Sequence, residues 1–379
     1  MTTLSDMAGN LGMSAHRHLI PAYQVTVDGV DVTAALHPRL MSLRITDNRG
    51  FEADTIDITL DDSDGQLAMP RRGARLRVGI GWQGQPLVDK GAFTIDELEH
   101  SGTPDTLAIR GKSADLRASL NKIRQASYHK TTIGAIVDQV AQRHQLIPAA
   151  AERFKGLLID HADQQDESDP AFLTRLAQEC GAACTIKAGR LLFITPGGGV
   201  SASGQPLPAV TLTRQDGDAH RFAVADRDAY TGVSANWHDP STATTEGSTI
   251  KRKRKRKKKP EETLPSDVTI DKEGRELLIG DSENVKVLRH VYANKTNALR
   301  AARAEWERLQ RGVAEFEITL AVGRPELYPE QPARVSGYKP EIDAAAWTLT
   351  QVTHDISPSG YTNGLRLEVA IKELPDVDE

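Results

Sequence analysis

The segment Phe93-Thr-Ile-Asp-Glu-Leu-Glu-His100 is matched near the other end of the chain by Trp347-Thr-Leu-Thr-Gln-Val-Thr-His354. Both read aromatic, Thr, aliphatic, two variable residues, aliphatic, one variable residue, His. Each is followed by a Gly-containing turn and another strand pattern, T-L-A-I-R-G in one case and L-R-L-E-V-A-I in the other. Upstream, Asp57-Ile-Thr-Leu60 pairs with Glu317-Ile-Thr-Leu320, and between them A-R-L-R-V-G from Ala74 corresponds to A-R-V-S-G from Ala333. One such match is expected by chance between β-rich segments, but three in one order point to duplication of a β unit. Within each copy, apolar and polar residues alternate, as in Thr55-Ile56-Asp57-Ile58-Thr59-Leu60, the period of a half-buried strand. Turn signals punctuate the first copy at Asp28-Gly29, Asp64-Gly65, Gln83-Gly84 and Ser101-Gly102. Many short strands so divided predict a small barrel or sandwich over 18–118, repeated over 209–375. If both copies present an equivalent strand edge, three chains close six similar barrels into a ring with few free edges.

The pattern between the copies is different. Ile133, Ile136, Val137 and Val140 fall on one helical stripe with Thr131 or Thr132 placed to cap it. Ser168-Asp169-Pro170 opens a second helix that buries Phe172, Leu173, Leu176 and Cys180 and stops at Gly181. A-C-T-I-K-A-G-R-L-L-F-I then predicts a hairpin turning at Ala188-Gly189. Residues 119–195 thus read as an α+β module, and P-G-G-G-V-S-A-S-G-Q-P-L-P (196–208) as a linker. A third helix places Leu299, Ala302, Trp306 and Leu309 on one face and ends at Gly312. Residues 1–17 read as a flexible N-terminus and 376–379 as a C-terminal tail. The fold class is α+β, mainly β: two similar antiparallel β-barrels with an α+β domain between them.

Charge is distributed unevenly. Lys251, Arg252, Lys253, Arg254, Lys255, Arg256, Lys257, Lys258 and Lys259 form one unbroken cationic run. Without these nine, the 47 Lys and Arg fall to 38 against 52 Asp and Glu, and the net charge falls from -5 to -14. Adjacent cations repel and cannot form a core, so 239–284 reads as a largely disordered insertion in the second barrel. The run suits three roles: a solvated loop, a dock for an acidic surface, or a nonspecific contact to DNA phosphates through counterion release.

Signatures of chemistry are absent: no P-loop, G-x-S-x-G or H-E-x-x-H. Cys180 and Cys184 lack metal or redox spacing and read as buried small hydrophobes. Gly197-Gly198-Gly199 precedes no promptly capped helix and reads as a loop. His16 and His18 lack evident acidic partners, and Asp61-Asp62-Ser63-Asp64-Gly65 lacks the ligand spacing of an EF-hand and reads as a solvated turn. His100 and His354 read as strand-end residues that pack and hydrogen-bond locally. An acid pair for glycoside hydrolysis needs only spatial proximity, so the sequence leaves it open. The reading is of a non-enzyme with no catalytic, cofactor or metal residues. No signal peptide or membrane-spanning run is seen, which implies synthesis in a cytoplasm.

Three stretches carry a family likeness: R-G-A-R-L-R-V-G-I-G-W with G-A-F-T-I-D-E-L-E-H-S-G-T-P-D-T-L-A-I-R-G; D-E-S-D-P-A-F-L-T-R-L-A-Q-E-C-G followed by G-R-L-L-F; and W-T-L-T-Q-V-T-H-D-I-S-P-S-G-Y-T-N-G-L-R-L-E. In their order they resemble the phage late control gene D protein family, tail proteins similar to the baseplate hubs of contractile phages and to the N-terminal part of VgrG. The resemblance implies a structural homotrimer, in a virion tail baseplate assembled in the host cytoplasm, that joins the tail tube to the central spike. In VgrG a spike domain follows in the same chain; here the sequence ends at Glu379, so a separate spike protein is expected. The implied partners are that spike, the tube protein, other baseplate proteins and the tape-measure protein, with DNA a nonspecific contact of the basic run. Two alternatives stand beside this: a nucleic-acid-binding late-gene regulator, for which no helix-turn-helix pattern is found, and an envelope-degrading tail-tip hydrolase.

Overall fold

The structure, a computed structural model, describes residues 19–113, 120–187, 189–224, 230, 232–239, 244–251, 285–292, 295–312 and 314–370. The first repeat supplies β1 (Pro21–Val27), β2 (Val30–Asp31), β3 (Leu40–Asn48), β4 (Thr55–Asp61), β5 (Arg75–Trp82), β6 (Val88–Ser101) and β7 (Thr106–Ser113). Alternation in sequence becomes alternation in burial. Ile56, Ile58 and Leu60 of β4 are buried while Thr55 and Asp61 are exposed, and the buried set joins Val25, Leu43, Leu76 and Phe93 in one core.

The middle segment supplies β8 (Ile123–Thr132), α1 (Ile133–Arg143), β9 (Ile147–Ala150), β10 (Leu158–Ser168), α2 (Asp169–Cys180), β11 (Ala183–Lys187) and β12 (Arg190–Ile194). The helix starts sit where the capping residues put them. Thr132 Oγ1 accepts from the Ala135 N–H at 3.2 Å and Ser168 Oγ from that of Ala171 at 3.4 Å, caps worth about 1 kcal/mol each. Gly181, at φ 70°, closes α2 in the left-handed conformation that favours glycine. Both helices bury the stripes read from the sequence, against Phe154 and Phe193, in a core separate from that of the first repeat. Cys180 and Cys184 are free and buried there. Burial pushes the Cys180 thiol up to about 11 and the Cys184 thiol higher still, so both act as small hydrophobes.

The remaining strands and the long helix are β13 (Val210–Thr213), β14 (Gly217–Val224), β15 (Gly232–Asp239), β16 (Thr244–Lys251), β17 (Val285–Tyr292), α3 (Lys295–Arg311), β18 (Ala314–Leu320), β19 (Pro332–Ser336), β20 (Trp347–Ser357) and β21 (Gly360–Val369). Here the duplication becomes a matter of topology. The first unit is ordered β3-β4-β7-β6-β5-β1, and the second β14-β18-β21-β20-β19-β13. Position by position these are the same path. One pairing differs in sense, β1 with β5 being antiparallel and β13 with β19 parallel. The middle sequence match shifts as well. Arg75 lies opposite Thr94 and Pro332 opposite Thr348, so Ala74 takes the place of Gln331, two residues from the Ala333 that the sequence suggested. A shift of two keeps every side chain on its face.

Three observations bear on these expectations. First, no closed barrel is seen among the described residues: β20 pairs with β3, and the described strands run on in one 13-stranded sheet whose path ends at β14 and β2. Beyond its short contact with β19, β20 has edge to spare, and β3 occupies it. Second, the stretch expected to be disordered from residue 239 contains β16, paired antiparallel with β15 from Asp239↔Thr244 to Gly232↔Lys251; a polar, Thr-rich segment can still satisfy a backbone ladder. Third, β15–β17 and α3 lie apart from the second unit's sheet. They form a small layer of their own around Val233, Ala235, Ala302 and Trp306, with Leu309 partly buried beside them as the helical stripe predicted.

The segment after β18 reaches across to the first unit. Trp82 Nε1–H donates to the Gly323 carbonyl at 3.0 Å, and the Gly323 N–H donates to the Tyr361 carbonyl at 2.7 Å. A Cβ at residue 323 would stand 2.5 Å from the Tyr361 ring. Gly323→Ala should therefore destabilise the fold by about 1–3 kcal/mol through overpacking, read as a lowered thermal unfolding midpoint, with Gly84→Ala, away from this contact, as a milder comparison.

Candidate functional site

The place where distant segments converge is the seam between β3 and β20. Six residue pairs form it, from Gln351↔Asn48 to Ile356↔Leu43. Its inner face is apolar except at one point, where Asp47, Lys90 and His354 meet below the surface. Lys90 Nζ lies 3.3 Å from Asp47 Oδ2 and donates to the Leu327 carbonyl at 3.0 Å. His354 is fully buried, with Nδ1 2.7 Å from the Tyr361 hydroxyl and 2.8 Å from Asn363 Nδ2. Asn363 Oδ1 accepts the Arg324 N–H, which turns the amide nitrogen toward the ring as a donor. His354 Nδ1 is then the acceptor and Nε2 carries the proton, facing Asp47 Oδ2 at 3.6 Å. This is an electrostatic contact, too long for a hydrogen bond.

Burial opposes the Asp47 charge, but the His354 ring and the Lys90 ammonium outweigh it and hold its carboxyl below the usual range. Burial lowers the pKa of Lys90 and of His354, against the pull of Asp47. Three further ion pairs flank this centre. Arg49 joins Glu330 and Glu368, tying the end of β3 to the second unit, and Glu330 also accepts the Gly197 N–H at 2.8 Å. Lys187 on β11 grips both oxygens of Asp54, and Thr185 donates to the Gly50 carbonyl at 2.5 Å. Three parts of the chain are thus fastened at one place. A cleft of about 780 Å³ opens beside it, lined by Asp47, Asp54, Lys90, Lys187, Tyr328 and Glu330 among others. The carboxylates of Asp47, Asp54, Glu330 and Glu368 each have a cationic partner, so their charge is spent on holding the units together.

The residues singled out in the sequence are scattered. Of the basic run, Lys251 ends β16 opposite Gly232, and Arg252–Lys259 lie outside the described residues, as do His16 and His18. The paired histidines diverge: His100 lies at the exposed end of β6, 3.3 Å from Asp62, while His354 is mid-strand and at the heart of the seam. Local hydrogen bonding fits His354 alone, and the strand-end position fits His100 alone. Gly197 and Gly199 sit in a loop at φ 66° and 64°. The acidic turn is closed on itself, with Asp64 paired to Arg39, which lowers its carboxyl to about 2, and Asp62 accepting the Leu67 N–H. Among the described residues no three metal-ligating side chains come together. Asp47, Arg49, Lys90 and Glu330 are not legible in the sequence because the partner of each lies in a distant segment; His354, Tyr361 and Asn363, on one hairpin, are within its reach.

The chain matches the family described as phage tail baseplate hub over residues 48–360. It is 47% identical to the probable baseplate hub protein of Escherichia phage 186 over 380 residues, 97% of this chain and 98% of that protein. It is equally identical to that of Escherichia phage P2 over 379 residues, with the same shares covered. Among solved structures, the 43 kDa tail protein of prophage MuSo2 from Shewanella oneidensis superposes with a TM-score of 0.63 at 15% identity, over 92% of this chain and 98% of that one; this likeness speaks for the fold.

Removing one partner from the buried pair should cost far more than removing both. Asp47→Ala is expected to lose about 3–5 kcal/mol by stranding Lys90, and Asp47→Leu combined with Lys90→Met to recover most of it, measured by denaturant unfolding. A pH dependence follows from His354. Its folded pKa lies below the usual value near 6.5, so below that pH the unfolded chain binds a proton that the folded chain refuses. Stability should fall as pH drops from 7 to 5, and His354→Asn should flatten the slope. The Asp47 contribution, from a lowered carboxyl, persists in that window and is lost only at more acid pH.

Proposed function

This chain belongs to the phage tail baseplate hub family, and from that premise we propose that three copies form a pseudo-six-fold ring joining the tail tube to a separate central spike. As a member of the family it is a structural component of the virion tail baseplate and not an enzyme. The observation that supports the ring is the repeated strand path. Two units of one topology lie side by side in a single sheet, which is what a chain needs to offer a six-fold tube two near-equivalent faces. In the ring each unit curls into a tube-like barrel, with neighbouring copies supplying the closure that one chain lacks.

The run Lys251–Lys259 is assigned to docking on an acidic surface within the assembly: the hub body itself, the tube, the spike or the tape-measure protein. The rest of the chain carries -14 once these nine cations are set aside from the net -5, so the electrostatic partner is already present in the hub. The run follows directly from β16, whose last residue is Lys251.

Native mass measurement tests the ring. The expected species, alone or on addition of the spike, is three times 41.3 kDa; a chain that stays monomeric and ignores the spike would sink the proposal. For the run, deletion of 251–259 should reduce particle assembly while leaving three copies per hub. Full assembly and infectivity would leave it only a solubility role, and salt-sensitive DNA binding lost on deletion would move the assignment to nucleic acid.

A further inference from the structure

The β20–β3 junction joins the second unit of a chain to its own first unit. By the shared strand path β6 stands for β20 and β14 for β3, and the correspondence holds residue by residue. The β6–β7 ladder slips between Ile95 and Glu97, the β20–β21 ladder between Leu349 and Gln351. Likewise β3–β4 slips between Leu40 and Ser42, and β14–β18 between Gly217 and Ala219. Glu97 therefore occupies the place of Gln351, and Arg221 that of Arg44. The first half of each long strand is covered in the same manner. Ile95 bonds to Gly73 and Ala74 through its carbonyl and N–H, and Leu349 to Glu330 and Gln331; Gly73 and Glu330 even share a left-handed φ, 82° and 77°.

Beyond that point the equivalence breaks. The second half of β20 is covered by β3, but the second half of β6, from Asp96 to Ser101, pairs on that side with no strand among the described residues, and neither does the outer edge of β14. Neither edge carries the proline or lysine that commonly blocks edge pairing.

We propose that β6 of one copy pairs antiparallel with β14 of the next, in the register of the internal junction: Leu98 opposite Val224, Glu99 opposite Ala223, His100 opposite Phe222 and Ser101 opposite Arg221. The proposal rests on the trimeric reading above and specifies the contact by which the copies meet. The side chains suit it. In the internal junction Val352, His354, Ile45 and Leu43 form a buried inner face. The remaining member of that face, Asp47 opposite Val352, has Val224 as its counterpart, an apolar side chain left 61% exposed at a sheet edge, which pairing would set against Leu98. On the outer face Arg44 meets Asp355 at 2.6 Å. Its counterpart Arg221 falls diagonal to Glu99, with side chains 64% and 52% exposed and of opposite charge.

The test is disulfide trapping in the full chain and in assembled tails, using Glu99→Cys with Ala223→Cys. Cys180 and Cys184 are buried and do not interfere. Mild oxidation should convert most of the double variant to covalent trimer on a denaturing gel, and neither single variant should do so. A bifunctional amine cross-linker, which demands no register, is run beside it. Trimer with the amine reagent but none with the cysteine pair, or trapping instead with Glu99→Cys and Arg221→Cys, overturns the register and leaves the trimer standing. No trimer with either reagent overturns both.

Discussion

Everything distant in this chain depends on one short ladder, the edge pairing of β20 with β3, and on the Asp47–Lys90–His354 group beneath it. The ladder alone would leave the relative position of the two units to backbone hydrogen bonds, which are indifferent to which residues they join. A charge buried at one point removes that freedom. Sliding β20 by a single residue would turn His354 outward and leave Asp47 and Lys90 without the ring that completes their surroundings. Ion pairs from Arg49 and Lys187 extend the fastening to the second unit and to the middle module. The seam is costly in desolvation, and its return is definition rather than raw stability.

That economy fits a hub. A structural component of a baseplate needs a rigid join between its units more than it needs a deep pocket. Most of the charges that line the cleft beside the seam are already engaged with one another. Glu307 of α3 and Arg153 of the middle module meet at 3.3 Å, so these two parts brace each other away from the sheet.

Local features were readable from the residues alone. Strand alternation, the Thr132 and Ser168 caps, the stop at Gly181 and the buried cysteines each follow from neighbours within a turn or two. The duplication was readable because its signal is order along the chain. Its register was not: the A-R-L and A-R-V match sat two residues from the structural equivalence, since a period of two leaves either alignment equally apolar. The pairing of β20 with β3 was out of reach too, for edge pairing between units leaves no mark in either strand. β16 was hidden by composition, lying next to a charge run and holding little to bury. The seam charges were invisible singly and meaningful only together.

The junction also sets the order in which the molecule can be completed. Arg44 and Asp355, which meet across it, are separated by 311 residues, and at synthesis rates of about 5–20 residues per second that gap is on the order of 15–60 s. During that interval the first unit exists with the edge of β3 bare, ready to accept any strand of the right pattern. The β20 of another nascent chain is such a strand. A cell producing many copies at once therefore faces a choice between a chain that closes on itself and one that exchanges its final hairpin with a neighbour, and the buried charge at the seam, blind to which chain it belongs to, favours neither. What tips the balance is tethering: the chain's own hairpin is always nearby once made, at an effective concentration that a neighbour must exceed.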